Sequence, residues 1–171
     1  PTNLYDDGME GGWKFYAECD YLAGLFYWTG FDYRGEPTPY AWPGVVSQFG
    51  ILDLCGFPKD NAFYLKSWWW NQEPLVHVEH NWIAEEGDSV NLVIYSNCRE
   101  VELLVNATSL GKKQVPYNGH ITWPVKYSSG TLLAKGYGHY GTVDSTSFRC
   151  SAVCKTPKKP ASVHLTAHTN E

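Results

Sequence analysis

The sequence predicts a mixed α and β chain in which a helix–strand–loop–helix segment precedes an immunoglobulin-like β-sandwich. Two patterns support this prediction. Up to about residue 72, apolar residues recur at helical spacing on both sides of one continuous apolar run. Beyond that point they alternate in about seven short segments separated by Gly- and Asn-containing turns, and seven short strands are typical of an immunoglobulin-like domain. With 171 residues, the chain is long enough for one domain or two small ones.

Charge and hydropathy exclude several classes of partner. The net charge of −5, with no large Lys/Arg cluster, argues against nucleic-acid binding. No apolar stretch approaches the roughly 20 residues that span a bilayer, so we expect no membrane partner. Because the chain begins with Pro1 and shows no signal-peptide pattern, we expect it to be processed or excised, so its start does not tell whether it is secreted. The location is left unknown, with a periplasmic or extracellular one favoured over a cytoplasmic one.

The cysteine and histidine spacing predicts no metal site, and we expect no cofactor. The chain has five cysteines, an odd number without a CxxC pair, so free and mostly buried thiols are the expectation. A disulfide bond between Cys150 and Cys154 is the alternative, although no sequence pattern supports it. His77 and His80 fall on opposite faces of a predicted strand, which argues against a zinc pair.

The first predicted elements form half of an α/β unit. Residues 1–12 are polar and Gly-rich, which predicts a loop. Residues 12–21 place Trp13 and Tyr16 at helical spacing and predict a short amphipathic helix. Residues 22–28 are continuously apolar, as in a strand that is covered on both faces.

The stretch LFYWTGFDYRGEPTPYAWP, residues 25–43, carries the chemistry of this region. It begins as the buried strand and continues into a loop stiffened by Gly and Pro, in which aromatic rings and charged groups alternate. Loops at the carboxyl ends of strands are where α/β barrels place their binding groups. Rings beside carboxylates suit a sugar, which has an apolar C–H face and a rim of hydroxyls. A packed loop with a few satisfied charges is the alternative.

A second helix is predicted over residues 61–70, with Asp60 as its N-cap. Its apolar residues form a wide stripe, and three consecutive tryptophans must point in different directions. We expect one of them, Trp70, to face the following domain.

The sandwich is predicted from residue 73 onward, where the periodicity becomes alternating. Trp123 is the expected large core residue, and Pro124 predicts an edge strand or a bulge. The last sandwich strand is predicted over residues 144–153. A further alternating segment at residues 161–167 has no partner in the remaining sequence and suggests the start of another domain.

These residues carry a resemblance to a known family. The segments AGLFYWTGFDYRGEPTPYAWP, SQFGILDLCGFPKDNAFY and KSWW, with SNCREVELLVNATSLGKK, WPVKYSSGTLLAKGY and KPASVHLTA in the second half, resemble glycoside hydrolase family 2 of the β-galactosidase type. WTGFDYRGEP is the specific part. One departure is Asn106-Ala107, where the family usually has Asn-Gly in a tight turn.

The resemblance implies a fragment. It implies that residues 1–72 are the last part of a (β/α)8 catalytic barrel, with residues 22–28 as the eighth strand. It implies an immunoglobulin-like sandwich over residues 73–155, then a linker and the first strand of a further domain over 156–171. A whole barrel takes about 250 residues. The family's two catalytic glutamates lie upstream, so this chain holds no catalytic residue and we expect it to be inactive alone.

The resemblance also implies substrate-binding residues. Trp28 matches the aromatic residue that lines the sugar subsite, and its alternative role is a core ring. Asp32 would accept hydrogen bonds from sugar hydroxyls or hold Arg34, and Glu36 would order the loop. Asp32 and Glu36 are up to ~13 Å apart in extended chain, whereas a retaining pair needs about 5–5.5 Å, and neither matches a family glutamate.

The expected function is therefore a part in retaining hydrolysis of terminal β-galactosides, with one wall of the sugar site in this chain. The alternative is a non-catalytic carbohydrate-binding or structural module. The expected partners are a galactoside-type carbohydrate and the remainder of the parent enzyme, or self-association through the N-terminal third of the chain.

Overall fold

The structure is a computed structural model, and it describes residues 8–70, 72–142 and 146–157. Two helices are present, α1 (Gly8–Ala17) and α2 (Asp60–Trp69). The strands are β1 (Val76–Glu79), β2 (Ser89–Ser96), β3 (Glu100–Val105), β4 (Thr108–Gln114), β5 (Ile121–Lys126), β6 (Thr131–Tyr137) and β7 (Phe148–Lys155). Neither described helix is long and apolar enough to cross a membrane.

The seven strands form two antiparallel sheets, one of three strands in the order β1-β2-β5 and one of four in the order β4-β3-β6-β7. Because β4 pairs with β3, the fourth strand lies beside the third, whereas in a constant-type immunoglobulin domain it lies beside the fifth. Since both sheets contribute buried residues to one core, the predicted β-sandwich is confirmed.

The core lies between the two sheets and follows the alternation read from the sequence. In β5, Ile121, Trp123 and Val125 are buried and the residues between them are exposed. Trp123 is a core residue, as predicted, and β5 lies at a sheet edge, as Pro124 predicted.

The largest fully buried side chain, Trp82, was not identified from the sequence. It lies in the connection between β1 and β2 with a φ of 50°, so no strand periodicity marks it. Its ring lies 4.9 Å from that of Tyr127.

The first predicted helix is shifted. α1 begins within the segment expected to be a loop and ends at Ala17 rather than at residue 21. Glu10 explains the early start, because its carboxylate pairs with Lys14 one turn later and reaches His120 in the sandwich. Tyr21, the last residue of the predicted helix, lies beyond α1 and is 80% exposed.

The strand predicted over residues 22–28 is absent from the described part of the chain. A strand needs a hydrogen-bonded neighbour, and no described segment pairs with this one. Its apolar side chains are exposed, with Leu25 at 46% and Phe26 at 100%. A partial barrel is therefore not seen here. The last sandwich strand is β7, which begins at Phe148, since residues 146 and 147 of the predicted span 144–153 are described and are not in the strand. Residues 144 and 145 and the predicted strand 161–167 lie outside the described residues.

The start of α2 differs from the prediction by one residue. Lys59 is the N-cap and makes no side-chain capping bond, while Asp60 is the first helical residue. The Asp60 carboxylate instead lies 2.6 Å from Nε2 of His77 in β1. The carboxylate therefore links α2 to the three-stranded sheet and also sits at the favourable end of the helix dipole.

Both helices pack on the sandwich near the turn that precedes β5. The Tyr64 hydroxyl of α2 donates to the backbone carbonyl of Asn118 (2.8 Å), and Nε1 of Trp13 in α1 donates to the side chain of the same residue (3.1 Å). Of the three tryptophans, Trp68 faces the sandwich and is 9% exposed, whereas Trp70, expected in this role, is 51% exposed.

Candidate functional site

The long connection between α1 and α2 folds back on itself beside Trp28. Isolated bridges join Phe31 to Leu52 in parallel orientation and Arg34 to Val46 in antiparallel orientation. Ser47 is fully buried, and its hydroxyl accepts a hydrogen bond from the Tyr33 amide (3.0 Å). Its own amide donates to the Tyr33 carbonyl (2.8 Å). Residues 31–36 therefore keep a defined position without belonging to a sheet.

Asp32 is the charged anchor of this connection. Oδ1 accepts hydrogen bonds from the Gly50 amide and from Nζ of Lys59, both at 2.8 Å, and Oδ2 lies 2.7 Å from the same Nζ. The side chain of Asp32 is 8% exposed. The hydrogen bond from Lys59 is the main cause that lowers the pKa of Asp32, so the carboxylate is charged at neutral pH.

Lys59 connects this anchor to the following helix. Its Nζ also donates to the backbone carbonyl of Gln48 at 2.9 Å. Because Lys59 is the N-cap residue of α2, the ion pair with Asp32 ties the start of that helix to the aromatic loop. Asp32 thus holds Lys59 rather than Arg34, which was one of the two roles expected for it.

Trp28, Tyr33 and Glu36 form a chain of contacts at the surface. Nε1 of Trp28 donates to the Tyr33 hydroxyl (3.3 Å), and the two rings meet edge to face with centroids 6.0 Å apart. The Tyr33 hydroxyl in turn donates to the Glu36 carboxylate, and this hydrogen bond raises the pKa of Tyr33. Tyr33 is backed by Phe49, whose ring centroid lies 5.7 Å away.

The ring of Trp28 remains open to solvent, with 72% of the residue exposed. Its indole N–H is oriented by Tyr33, so the ring is held in one direction although little covers it. A held, exposed indole face is a surface that can stack on the apolar face of a ring-shaped ligand.

The structure therefore joins two of the three predicted site residues directly to one tyrosine. Trp28 and Glu36 meet at Tyr33, and Asp32 is turned to Lys59 and Gly50. Sequence reasoning did not identify Tyr33 as the link or Lys59 as the partner of Asp32. The ring next to Asp32 was the available signal for Tyr33, while Lys59 is 27 positions from Asp32 and carries no local signal.

An open depression of about 520 Å³ lies beside the ion pair. Its lining includes the polar side chains of Asp32, Gln48 and Lys59 together with the apolar Val46 and Leu54, and Trp28 is not among its lining residues. Since the lysine and the aspartate neutralise each other there, the exposed rings offer the better ligand surface.

Comparison with known proteins relates this chain to larger carbohydrate-active proteins. A family model described as a domain of unknown function (DUF4982) matches residues 87–143. The β-galactosidase BoGH2A of Bacteroides ovatus is 39% identical over 155 residues, which are 90% of this chain and 17% of that protein. A putative β-glucuronidase of Formosa agariphila is 35% identical over 144 residues, 80% of this chain and 14% of that protein. The chain thus spans less than a fifth of the length of these relatives.

Solved structures show the same fold. A β-glycosidase from Bacteroides vulgatus superposes with a TM-score of 0.78 at 32% identity, over 92% of this chain and 19% of that one. A glycosyl hydrolase family 2 member from Bacteroides cellulosilyticus superposes with a TM-score of 0.74 over 88% of this chain and 24% of that one. At 24% identity, the second likeness concerns the fold alone.

Proposed function

Because this chain belongs to glycoside hydrolase family 2, we propose that it is part of a retaining hydrolase of terminal β-galactosides and supplies one wall of the sugar site. The observation that carries the proposal is the exposed indole of Trp28, held by Tyr33. The relative BoGH2A, by its name a β-galactosidase, supports the galactoside as the substrate.

In this proposal Trp28 stacks on the apolar face of the sugar and excludes water from it. Glu36 acts through Tyr33. Its carboxylate accepts a hydrogen bond from the Tyr33 hydroxyl and so holds that hydroxyl in position to accept from Trp28. Asp32 is a positioning residue that fixes the loop through Lys59, and its oxygens accept hydrogen bonds from protein donors.

The chemistry itself belongs to two glutamates elsewhere in the parent enzyme. One attacks the anomeric carbon, while the other protonates the leaving oxygen and then activates water against the glycosyl-enzyme, with the two carboxyl groups about 5–5.5 Å apart. The carboxylates near Trp28 are used in structural contacts, which supports a binding role for this loop.

We also infer the place of each segment in the parent. Residues 1–72 form the end of the (β/α)8 barrel, and residues 22–28 become its eighth strand once neighbouring strands are present. The exposure of Leu25 and Phe26 supports this, because both would be covered in a closed barrel. Residues 73–155 buttress the barrel as a sandwich, and residues 156–171 lead to a further domain.

The test is a substitution in the longer enzyme. Trp28→Ala removes the stacking surface and is expected to lower kcat/KM for an aryl β-galactoside by about tenfold or more, since 1.4 kcal/mol of lost ring contact is a factor of ten. Trp70→Ala, which also removes an exposed indole, is the matched control and should leave kcat/KM unchanged. An unchanged kcat/KM in Trp28→Ala would exclude the sugar-platform role.

A β-glucuronide is the second candidate substrate. The Formosa agariphila relative is named a putative β-glucuronidase. Arg34 is exposed in the same loop, and within the described ranges it takes part in none of the ion pairs, so it is available to a sugar carboxylate. Comparing kcat/KM for an aryl β-galactoside and the matching β-glucuronide, in the parent and in Arg34→Gln, separates the two substrates.

A non-catalytic module remains the alternative to an enzyme segment. Titration of this chain with methyl β-galactoside distinguishes them. Saturable binding that Trp28→Ala abolishes, without a catalytic parent, would favour a carbohydrate-binding module. Turnover by the chain alone would contradict the inference that the catalytic glutamates lie elsewhere.

A further inference from the structure

Two cysteines meet inside the β-sandwich. The sulfur atoms of Cys98 and Cys150 are 3.8 Å apart, although the residues are 52 positions apart in sequence. Cys98 lies in the turn between β2 and β3 and is fully buried, whereas Cys150 lies in β7 and is partly buried. All five cysteines carry free thiols in this structure.

The strand between them makes room for this contact. Gly136 of β6 pairs with Val101 of β3 on one side and with Cys150 of β7 on the other. A Cβ atom at position 136 would lie only 2.5 Å from Sγ of Cys98. The absence of a side chain at Gly136 therefore lets Cys98 reach across β6 to Cys150.

We propose that Cys98 and Cys150 are an oxidisable dithiol that forms a disulfide bond across β6 and ties the last strand of the sandwich to the turn between β2 and β3. A bond requires the sulfur atoms to close by about 1.8 Å, to a length of about 2.0 Å. Cys154 is not a partner for Cys150, because four residues along a strand separate them by about 13 Å.

The reaction is thiol–disulfide exchange with a small disulfide such as oxidised glutathione. Cys150, the partly exposed member of the pair, attacks the reagent as its thiolate and forms a mixed disulfide, and one half of the reagent leaves as a thiol. Cys98 then attacks the sulfur of Cys150 and displaces the other half as a second thiol. Both protein thiols are oxidised and lose their hydrogens, which end on two reduced reagent thiols. The hydrogen bond with Cys150 is the first cause that lowers the pKa of Cys98, with Arg149 contributing, and this favours the Cys98 thiolate that closes the bond in the second step.

The bond would act on an edge strand. Among the described residues, β7 pairs only with β6 in its sheet, and it is the last strand in sequence order. A covalent tie at Cys150 would oppose the separation of β7 from β6. It would also restrict the unfolded chain by closing a long loop, which raises thermal stability.

The experiment compares the chain incubated with oxidised glutathione and with dithiothreitol. Remaining thiols are alkylated in denaturant, and the digest is searched by mass spectrometry for the peptide pair that contains Cys98 and Cys150. We expect this pair in the oxidised sample and its loss on reduction. Oxidation should raise Tm by about 5–10 °C.

Three variants make the result specific. Cys150→Ser and Cys98→Ser should lose the Tm increase, whereas Cys55→Ser, which alters an exposed cysteine, should keep it. Should Cys98→Ser fail to fold, peptide mapping of the unaltered chain and the Cys150→Ser variant still decide the matter. A reduced pair that persists in oxidised glutathione, or a bridge to any other cysteine, would overturn the proposal.

Discussion

Ala107 stands at a position that favours glycine. It and Asn106 form the two-residue turn between β3 and β4, with φ values of 67° and 48°, as a type I′ hairpin turn requires. Asn106 stabilises its own conformation, because its Oδ1 accepts a hydrogen bond from the Thr131 amide (2.8 Å). Ala107 has no such compensation in its methyl side chain.

We therefore expect Ala107→Gly to stabilise the chain by about 0.5–1 kcal/mol. Glycine removes the free-energy cost of a left-handed alanine, and this gain exceeds the loss that comes from the greater conformational entropy of the unfolded chain. Urea unfolding measures the change. Ala62→Gly in α2 is the control for the same chemical change, and it should destabilise by about as much. Destabilisation by Ala107→Gly would show that the turn tolerates alanine without strain.

The ion pair of Asp32 predicts a pH dependence. The pKa of Asp32 is lowered in the folded chain, first by Lys59, whereas in the unfolded chain it is about 3.9. The stability that this carboxylate contributes is thus present above about pH 3.9 and is lost as pH falls through the lower, folded-state pKa.

Lys59→Met removes the main cause of that shift. Between about pH 7 and pH 2, the variant should lose less stability than the unaltered chain, because Asp32 then titrates closer to its unfolded value. Urea midpoints across this pH range measure the difference. Lys126→Met, which changes an exposed lysine of β5, should follow the unaltered chain. If the urea midpoints of Lys59→Met and of the unaltered chain changed with pH in parallel, the ion pair would add no pH dependence to stability.

At the scale of elements, one tryptophan docks α2 on the sandwich. The ring of Trp68 lies 5.3 Å from that of Tyr117 and 5.8 Å from that of Tyr140, and the residue is 9% exposed. Trp70, two positions later, is half exposed. Of the Trp-Trp-Trp run, Trp68 therefore packs α2 on the sandwich, in addition to the contacts of Asp60 and Tyr64, whereas Trp70 does not.

Trp68→Ala should destabilise the chain by about 3–5 kcal/mol, because it leaves a cavity between the helix and the sandwich. Trp70→Ala should stay within about 0.5 kcal/mol of the unaltered chain. Chemical unfolding of both variants tests the pair. Equal losses in the two would place the docking contact elsewhere on α2.

At the scale of the whole molecule, the first third of the chain exposes a large apolar surface. Phe26 is fully exposed, and Leu25, Phe31, Trp42 and Phe57 are each at least 46% exposed. Contiguous apolar patches on soluble proteins mark surfaces that another chain covers. We infer that the remainder of the parent enzyme covers this surface, and that a second copy replaces it when the chain is alone.

Sedimentation at high concentration should therefore reveal self-association of the isolated chain. Phe26→Ser should weaken it by about tenfold to a hundredfold, because roughly 1.5–3 kcal/mol of apolar burial is lost. Ile83→Ser is the control, since Ile83 is 60% exposed but lies on the sandwich. Strictly monomeric behaviour of the unaltered chain, or equal effects of the two variants, would contradict this inference.

Prediction from sequence succeeded where a pattern is local. The alternation of Ile121, Trp123 and Val125 marks the buried face of β5 without knowledge of its neighbours. It failed where the outcome depends on a distant partner. α1 starts early because Glu10 meets His120, 110 positions away. Within the candidate site, the aromatic and acidic residues were recognisable, but the joining of Trp28 and Glu36 through Tyr33 was not.

The sequence by itself determined that the second part of this chain is a β-sandwich. Successive side chains of a strand point to opposite faces, so the buried face appears in the sequence as apolar residues at every second position. Only the tertiary structure decided which tryptophan docks α2, which lysine holds Asp32, and that Cys98 faces Cys150. Those contacts join residues that lie far apart in sequence, so no local periodicity encodes them. The segment 22–28 shows the same limit, since an apolar run becomes a strand only beside another strand.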